Sequence, residues 1–183
     1  MANSAYGATG ARTGPLFGMM VSSSVTSRGR VAIVRVRDYV NNGGLPKSYG
    51  RFNDVVLRVI YGDTDSVMVR CQHADVANNP AAALELLDLV AMAINTESGI
   101  FVLPMEMAAE CVYSPFLLLA CKKYLAQKHT RGSKPKLLQK GTVGVRRDNA
   151  KYVSEKASTI SRMLLVENRH TEVLEYVRGR IER

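Results

Sequence analysis

The chain has 183 residues, of which 46% are apolar, and its formal net charge at pH 7 is +9. This apolar content allows a buried core, and the length is typical of one or two domains. No apolar run approaches the length of a membrane span, and no secretory signal opens the sequence. We therefore expect a soluble, intracellular protein.

The cysteines and histidines are few and scattered. Cys71, Cys111 and Cys121 are odd in number and lack the close spacing of a zinc site or a disulfide framework. We expect all three to be reduced thiols in the core. The three histidines are equally dispersed. Any metal held by this chain is therefore expected to have oxygen ligands.

The predicted elements begin with the end of a helix at residues 2–10, where Gly7 and Gly10 act as breakers. Residues 21–42 are ambiguous on local grounds. Their β-branched residues favour a strand, whereas their length and the stop after Asn42 favour a helix.

A hairpin with an acidic tip is predicted next. Residues 55–60 and 66–71 have the composition of two strands, and the turn between them contains Asp63 and Asp65. Such a tip can hold a divalent metal beside the phosphates of a nucleotide. On this motif alone an ordinary turn is the more common case, because Gly and Asp occur in hairpin turns everywhere.

The clearest helix covers residues 81–95, because Asn79 is a good cap and a proline follows it in the first turn. Residues 100–103 and 112–120 are predicted strands, and Pro115 indicates a bulge or an edge in the second.

The last third of the chain begins with a basic loop predicted at residues 127–135. A short strand is predicted over residues 137–145. From residue 150 onward, apolar residues at helical spacing predict two amphipathic helices.

The excess of positive over negative charge lies entirely in the second part of the chain. Residues 1–109 have nine basic and nine acidic side chains, whereas residues 110–183 have sixteen basic and seven acidic ones. This asymmetry indicates a polyanionic partner, with phosphate contacts whose strength falls steeply with salt. The alternative is a solvated basic surface with no partner.

Four blocks of sequence carry a family resemblance, at residues 3–30, 59–68, 112–124 and 140–149. The first contains Asn-Ser-Ala-Tyr-Gly-Ala-Thr-Gly-Ala, and the second contains Tyr-Gly-Asp-Thr-Asp-Ser. The third ends in Lys-Lys-Tyr, and the fourth joins Lys-Gly to Val-Arg-Arg-Asp-Asn. In this order the blocks resemble family B DNA polymerases, the group that contains eukaryotic DNA polymerase delta and the herpesvirus replicative polymerases.

The resemblance implies an α+β fold, with an antiparallel palm sheet, packed helices and the start of a helical thumb. Residues 1–20 would be the end of the fingers helix and the return to the palm, residues 21–145 the palm, and residues 146–183 the start of the thumb. It also favours a helix over residues 21–42. The chain would then be a palm-to-thumb fragment of a longer polymerase.

The resemblance further implies a DNA-directed DNA polymerase that extends a primer on a DNA template in replication. Asp65 would be the direct ligand of Mg²⁺, and Asp63 would orient the site or approach the primer end. The family uses two magnesium ions, and an indispensable second carboxylate would come from an upstream strand. The isolated chain is therefore expected to be inactive.

Substrate contacts follow from the same resemblance. Nucleotide-binding residues would be Asn3, Tyr6 and Gly7, although a helical Tyr is more often half-buried packing. DNA-binding residues would be Thr64, Lys122, Lys123, Tyr124, Lys140, Gly141, Arg146 and Arg147. The expected partners are primer–template DNA, deoxynucleoside triphosphates and a processivity factor.

Two other functions remain open. A catalytically silent, basic DNA-binding module is one. A sugar-nucleotide transferase is the other, because Asp-x-Asp at a strand turn also holds a metal beneath a diphosphate. Cys111, Cys121 and the basic loop depart from delta-like sequences, which favours a divergent, herpesvirus-like enzyme. The expected location is the nucleus, that of the host for a viral enzyme.

Overall fold

The computed structural model describes residues 7–63, 65–146 and 148–181. These residues form helices and antiparallel sheets, which confirms the predicted α+β class. The elements are α1 (Met19–Asn41), β1 (Val56–Asp63), β2 (Ser66–Gln72), α2 (Pro80–Glu97), β3 (Val112–Ala120), β4 (Lys123–His129), β5 (Lys136–Lys140), α3 (Lys151–Leu165) and α4 (His170–Ile181).

The chain divides into two compact units. The first is built from the described residues before 78 together with Asp88–Ala109, and the second from Asn78–Leu87 together with the described residues from 110 onward. The predicted division into fingers end, palm and thumb follows other boundaries and stays a prediction.

Helix α1 and the β1–β2 hairpin form the first part of unit one. The ambiguous segment is helical, as the resemblance implied, and it buries Val36 and Val40. It ends where Gly43 adopts a φ of +75°, a conformation that suits glycine. At its last residue, the Asn41 side-chain oxygen accepts a hydrogen bond from the Val59 N–H at 2.9 Å. The helix end is therefore fastened to the middle of β1.

The core of unit one also includes the connection after α1 and the second half of α2. Its buried apolar residues are Val36, Val40, Leu45, Tyr49, Phe52, Val55, Val90, Ala91, Ala93 and Ile94. Helix α2 begins as predicted, since the Asn79 side chain accepts a hydrogen bond from the Ala82 N–H at 3.2 Å.

The predicted strand at residues 100–103 is wrong. The Met105 N–H bonds the Val102 carbonyl in a turn, and Val102 and Leu103 are 78% and 88% exposed. Local contacts hold this segment instead. The Ser98 hydroxyl accepts a hydrogen bond from the Ile100 N–H at 3.1 Å. After the turn, the Asn95 side chain bonds both the N–H and the carbonyl of Met107, at 2.7 and 3.0 Å. These bonds satisfy backbone groups on both sides of the turn without a partner strand.

Unit two is built on the antiparallel sheet β3–β4–β5, with helix α3 packed on β4. The sheet buries Tyr124, Leu125 and Ala126, and the helix buries Met163 and Leu165. The register of β3 and β4 shifts between Tyr113 and Phe116, which confirms the irregularity predicted at the intervening proline. Both predicted C-terminal helices are present as α3 and α4.

Two boundaries in this unit differ from the prediction. Residues 127–129 belong to β4, so the basic loop is limited to residues 130–135. Strand β5 starts at Lys136 and stops at Lys140 rather than reaching residue 145. It stops there because Gly141 takes a φ of +61° and a turn follows, in which the Val145 N–H bonds the Thr142 carbonyl.

Smaller expectations also need correction. Gly7 does not break the first helical segment, since residues 7–10 are helical, and the segment ends after Gly10. The thiols are not all in the core, because Cys121 is exposed while Cys71 and Cys111 are half-buried. Across the described ranges, every helix is too short or too polar to cross a bilayer.

Tyr49 has a buried hydroxyl that lacks a hydrogen-bond partner among the described residues. Its side chain is 6% exposed, and burial, with smaller effects from Glu97 and Tyr39, raises its pKa to about 12. Ionisation of Tyr49 is therefore opposed by folding, and this tyrosine destabilises the folded state as pH rises from its unfolded pKa of about 10.

We expect Tyr49→Phe to raise the free energy of unfolding by about 1 kcal/mol at neutral pH, because it removes an unsatisfied buried group. The stability lost by the unmodified protein above about pH 10 should also be smaller in this variant. Urea unfolding at several pH values measures both effects, with Tyr152→Phe, at an exposed tyrosine, as the control. A destabilised Tyr49→Phe protein would mean that the hydroxyl has a partner.

Candidate functional site

The tip of the β1–β2 hairpin places two carboxylates within three residues. Asp63 pairs with Ser66 at the end of the ladder, which leaves two sequence positions between the strands, and Asp65 lies in the turn. The Asp63 carbonyl accepts hydrogen bonds from the Asp65 N–H at 2.6 Å and from the Ser66 hydroxyl at 3.1 Å. Asp63 is half-buried and Asp65 is exposed. Thr64 lies outside the described residues.

A β-bulge precedes this tip. Register shifts between Val59 and Tyr61, which leaves Ile60 as the extra residue of β1. Bulges increase local twist and redirect the following side chains, and they are common beside active sites. Gly62 then allows a close approach, since a Cβ there would lie 3.3 Å from the Ser66 carbonyl oxygen and 4.0 Å from Ile33 of α1. The acidic tip is thus backed by helix α1.

The donor chemistry of the tip fits a hard divalent cation. Mg²⁺ prefers oxygen ligands and is usually bound by one or two carboxylates together with substrate phosphates and water. Asp63 and Asp65 supply such a pair. Within the described part of the chain, no group of three or more His, Cys, Asp or Glu side chains could form a metal centre. The hairpin thus offers two oxygen ligands of the kind that a divalent cation accepts.

The expected nucleotide-binding residues are only partly visible. Asn3 and Tyr6 lie outside the described residues. Gly7 is exposed in the helical segment, and a Cβ at this position would meet no described atom within 4 Å. The open space around Gly7 is compatible with close approach of a ligand.

The basic residues predicted to contact DNA cluster at one end of the sheet in unit two. Lys122 belongs to the two-residue loop between β3 and β4, with a φ of +58°. Lys122 and Lys123 are exposed. Gly141 packs so closely on the Lys122 carbonyl that a Cβ would overlap it. Lys140 is therefore held next to the β3–β4 loop.

Tyr124 is a packing residue in this structure. It is 4% exposed, and its ring centroid lies 6.1 Å from that of Tyr113 and 5.7 Å from that of Phe116. Burial is the main cause that raises the pKa of Tyr113 above its usual range. The Lys140 ammonium nitrogen lies 5.9 Å from the Tyr124 ring centroid, within the range of a cation–π contact. Tyr124 thus helps to place the Lys140 ammonium group.

Arg146 has an acidic partner that the sequence analysis missed. Its guanidinium donates hydrogen bonds to both carboxylate oxygens of Asp148, at 3.1 and 2.7 Å. These bonds are the first cause that lowers the pKa of Asp148. A basic residue followed two positions later by an acid was the available signal. Arg147 lies outside the described residues.

The sequence profile of DNA polymerase family B matches residues 1–183, the whole chain. The chain therefore belongs to DNA polymerase family B, and the resemblance drawn from its four blocks is confirmed.

Among similar proteins is the DNA polymerase delta catalytic subunit of Schizosaccharomyces pombe, 40% identical over 167 residues, which are 91% of this chain and 14% of that protein. The delta catalytic subunit of Oryza sativa subsp. japonica is 34% identical over 98% of the chain and 16% of its own length. The delta catalytic subunit of Drosophila melanogaster is 35% identical over 97% of this chain and 15% of its own length.

The chain thus spans about one-seventh of the length of these relatives. All three are cellular polymerases, so they give no support to the herpesvirus-like alternative, despite the departures at Cys111, Cys121 and the basic loop.

A substitution at Gly141 tests whether the close contact between Gly141 and the Lys122 carbonyl holds the basic cluster together. We expect Gly141→Ala to lower the free energy of unfolding by about 2–4 kcal/mol, because the new Cβ combines a strained φ with overlap on the Lys122 carbonyl. Gly132→Ala is the matched control, since its φ is +67° but a Cβ there meets no described atom within 4 Å. It should cost about 1 kcal/mol in chemical unfolding. Equal losses would show that the Lys122 contact is unimportant.

Proposed function

We propose that this chain is part of a DNA-directed DNA polymerase that extends a primer on a DNA template during replication, by nucleotidyl transfer with two magnesium ions. Family membership and the delta relatives support this proposal. The observation that supports a catalytic site in this chain is that Asp63 and Asp65 lie together at the tip of the β1–β2 hairpin. The proposed location is the nucleus.

The two carboxylates have different surroundings, which suits different tasks. Asp65 is exposed, and no described side chain contacts its carboxylate, so it is open to direct metal ligation. Asp63 is half-buried at the end of the ladder and is suited to orienting the site or approaching the primer end. Bound Mg²⁺ would lower the pKa of the primer hydroxyl and neutralise charge developing on the triphosphate.

Contacts to the duplex are proposed at the basic cluster in unit two. Lys122, Lys123 and Lys140 would bind phosphates or minor-groove acceptors, with Tyr124 and Gly141 holding the cluster together. Such contacts read backbone geometry, as copying of any sequence requires. The Arg146 guanidinium is paired with Asp148, so it would have to release this carboxylate in order to bind a phosphate.

Several further residues and assignments stay proposals. Thr64 and Arg147 are proposed DNA contacts, and Asn3, Tyr6 and Gly7 are proposed contacts to the incoming deoxynucleoside triphosphate. We also propose that residues 1–20 are the end of the fingers helix and the return to the palm, residues 21–145 the palm, and residues 146–183 the start of the thumb. A processivity factor is the proposed protein partner of the complete polymerase.

The isolated chain is proposed to be inactive. Its described residues provide only two of the carboxylates for the metal clamp, and it spans about one-seventh of its relatives. A silent DNA-binding module is the second candidate, favoured by the charge of residues 110–183. Under that alternative Asp65→Ala would leave the biological role intact. The sugar-nucleotide transferase is not proposed further, because the Asp-x-Asp motif that suggested it is accounted for by membership of DNA polymerase family B.

The first test measures DNA binding and primer extension by the purified chain. We expect salt-dependent binding to a primer–template without sequence preference, and no extension with Mg²⁺ and deoxynucleoside triphosphates. Lys122→Gln/Lys123→Gln should reduce the slope of log affinity against log salt by about 2, because two phosphate contacts are lost. Fluorescence anisotropy at several salt concentrations measures this slope.

The control for charge alone is Arg28→Gln/Lys47→Gln, which removes two exposed basic residues outside the proposed cluster. Cys121 provides a second readout, because it is exposed beside Lys122 and its alkylation should slow when DNA binds, while that of half-buried Cys71 should not. Extension by the pure chain that is lost in Asp65→Ala would contradict the proposed inactivity.

The second test concerns the metal at the hairpin. We expect Mn²⁺ to broaden the backbone NMR signals of residues flanking the β1–β2 loop, because a paramagnetic ion relaxes nuclei near its ligands. Asp65→Asn should remove this broadening, and Asp75→Asn, at an exposed acid outside the hairpin, should not. Broadening that persists in Asp65→Asn would exclude this residue as a direct ligand.

A further inference from the structure

The β3–β4–β5 sheet has a second group of cations at the end opposite the β3–β4 loop. This group consists of Lys128, Lys134 and Lys136. The β4–β5 register places Lys128 directly opposite Lys136, so both side chains lie on one face of the hairpin. Like charges in directly opposed positions destabilise a sheet, because their Cβ atoms are only about 5 Å apart. The sequence therefore keeps a repulsive pair at a position where most neutral residues would be better tolerated.

Among the described residues, no acidic side chain forms an ion pair with these lysines. Residues 111–147 contain no Asp or Glu. Lys134 and Lys136 are exposed, and Lys128 is half-buried. The positive potential at this end of the hairpin is thus open to an external anion.

The loop that joins the lysines is fastened to the rest of unit two. The Arg131 guanidinium donates a hydrogen bond to the Leu84 carbonyl of α2 at 3.2 Å. Next to the loop, the His129 ring nitrogen lies 2.8 Å from the Ser114 carbonyl oxygen on β3. Both contacts lie where β4 passes into the loop, so the lysines stand on a hairpin that is anchored at this point.

This surface is separate from the cluster at Lys122 and Lys123. Lys123 begins β4 and Lys128 lies five residues later, which corresponds to about 17 Å along a strand. That length equals roughly five base-pair steps of a duplex. The two groups therefore cannot bind the same phosphate, but one polyanion of sufficient length can reach both.

We propose that Lys128, Lys134 and Lys136 form a second phosphate-binding surface for nucleic acid, additional to the cluster at Lys122 and Lys123. The proposal rests on the proposed function in taking DNA as the polyanion. It assigns sequence-independent affinity to the end of the β4–β5 hairpin, which includes the segment that departs from the delta-like pattern. Binding of phosphates relieves the repulsion between the opposed lysines, and this relief favours the bound state.

The deciding experiment compares Lys128→Gln/Lys136→Gln with the unmodified chain in anisotropy titrations against a duplex of about 20 base pairs. Two lost phosphate contacts should reduce the salt slope by about 2, so that the loss of affinity between about 50 and 200 mM salt becomes roughly tenfold smaller. Arg28→Gln/Lys47→Gln makes the same change in net charge and should leave the slope near that of the unmodified chain. An unchanged slope in Lys128→Gln/Lys136→Gln overturns the proposal.

A parallel titration of Lys122→Gln/Lys123→Gln separates this proposal from the proposed function. A reduced slope only in that variant overturns the second surface and leaves the proposed function intact. A reduced slope only in Lys128→Gln/Lys136→Gln supports the second surface and contradicts the proposed duplex contacts at Lys122 and Lys123. No change in either variant overturns both.

Two further measurements test the stability of the variant and the chemical class of the polyanion. Thermal unfolding without DNA should show Lys128→Gln/Lys136→Gln at least as stable as the unmodified chain at low salt, because the repulsion is gone. If that variant fails to fold, Lys134→Gln in the loop should still lower the slope by about 1. Competition by poly-glutamate that matches DNA and depends on the same lysines would assign the surface to an acidic protein and overturn the proposal.

Discussion

Two-residue hairpin loops place the charged residues of both candidate sites. In unit one, the pair Asp63 and Ser66 closes the ladder and leaves Asp65 in the loop. In unit two, the pair Ala120 and Lys123 closes the ladder and leaves Lys122 in the loop. A loop this short fixes the register of its strands, so the positions of these charges follow from backbone pairing. The rest of each unit stabilises that pairing.

The stabilising contacts differ between the units. The β1–β2 sheet has only two strands, and an isolated hairpin is marginally stable in water. Helix α1 and the Asn41 hydrogen bond to Val59 therefore contribute to the position of the acidic tip. In unit two, a third strand, an aromatic cluster and the contact between Gly141 and Lys122 give the basic cluster more support.

The sequence correctly predicted the helices and strands that are marked by short motifs such as turns and caps. Strand-forming residues on both sides of a Gly-Asp turn predicted the β1–β2 hairpin, and Asn79 with the following proline predicted the start of α2. The helix over α1 could not be predicted locally, because β-branched residues and length gave opposite indications. Family resemblance decided it. The strand expected at residues 100–103 was wrong because side-chain and turn hydrogen bonds, from the Ile100 N–H to Ser98 and from the Met105 N–H to the Val102 carbonyl, replace strand pairing there.

The site showed the same limit. Short sequence motifs led to the hypothesis that Asp63, Asp65 and the lysines near residue 122 belong to functional sites. The sequence did not predict that Tyr124 is buried, that Lys140 lies over its ring, or that Lys128 faces Lys136. Each of these facts depends on which strand pairs with which, and in what register. Cross-strand neighbours are not encoded by spacing along the chain.

Catalysis and DNA binding make different demands on this architecture. A magnesium clamp needs its carboxylates in a precise geometry, and the two at the hairpin tip stand on a two-stranded sheet without a third acidic ligand in the described residues. Phosphate binding is more tolerant, because it depends on the number of exposed cations along a surface. The uninterrupted basic character of residues 111–147 supplies that number. Under the proposed function, the chain would therefore keep affinity for a polyanion even where the geometry for catalysis is incomplete.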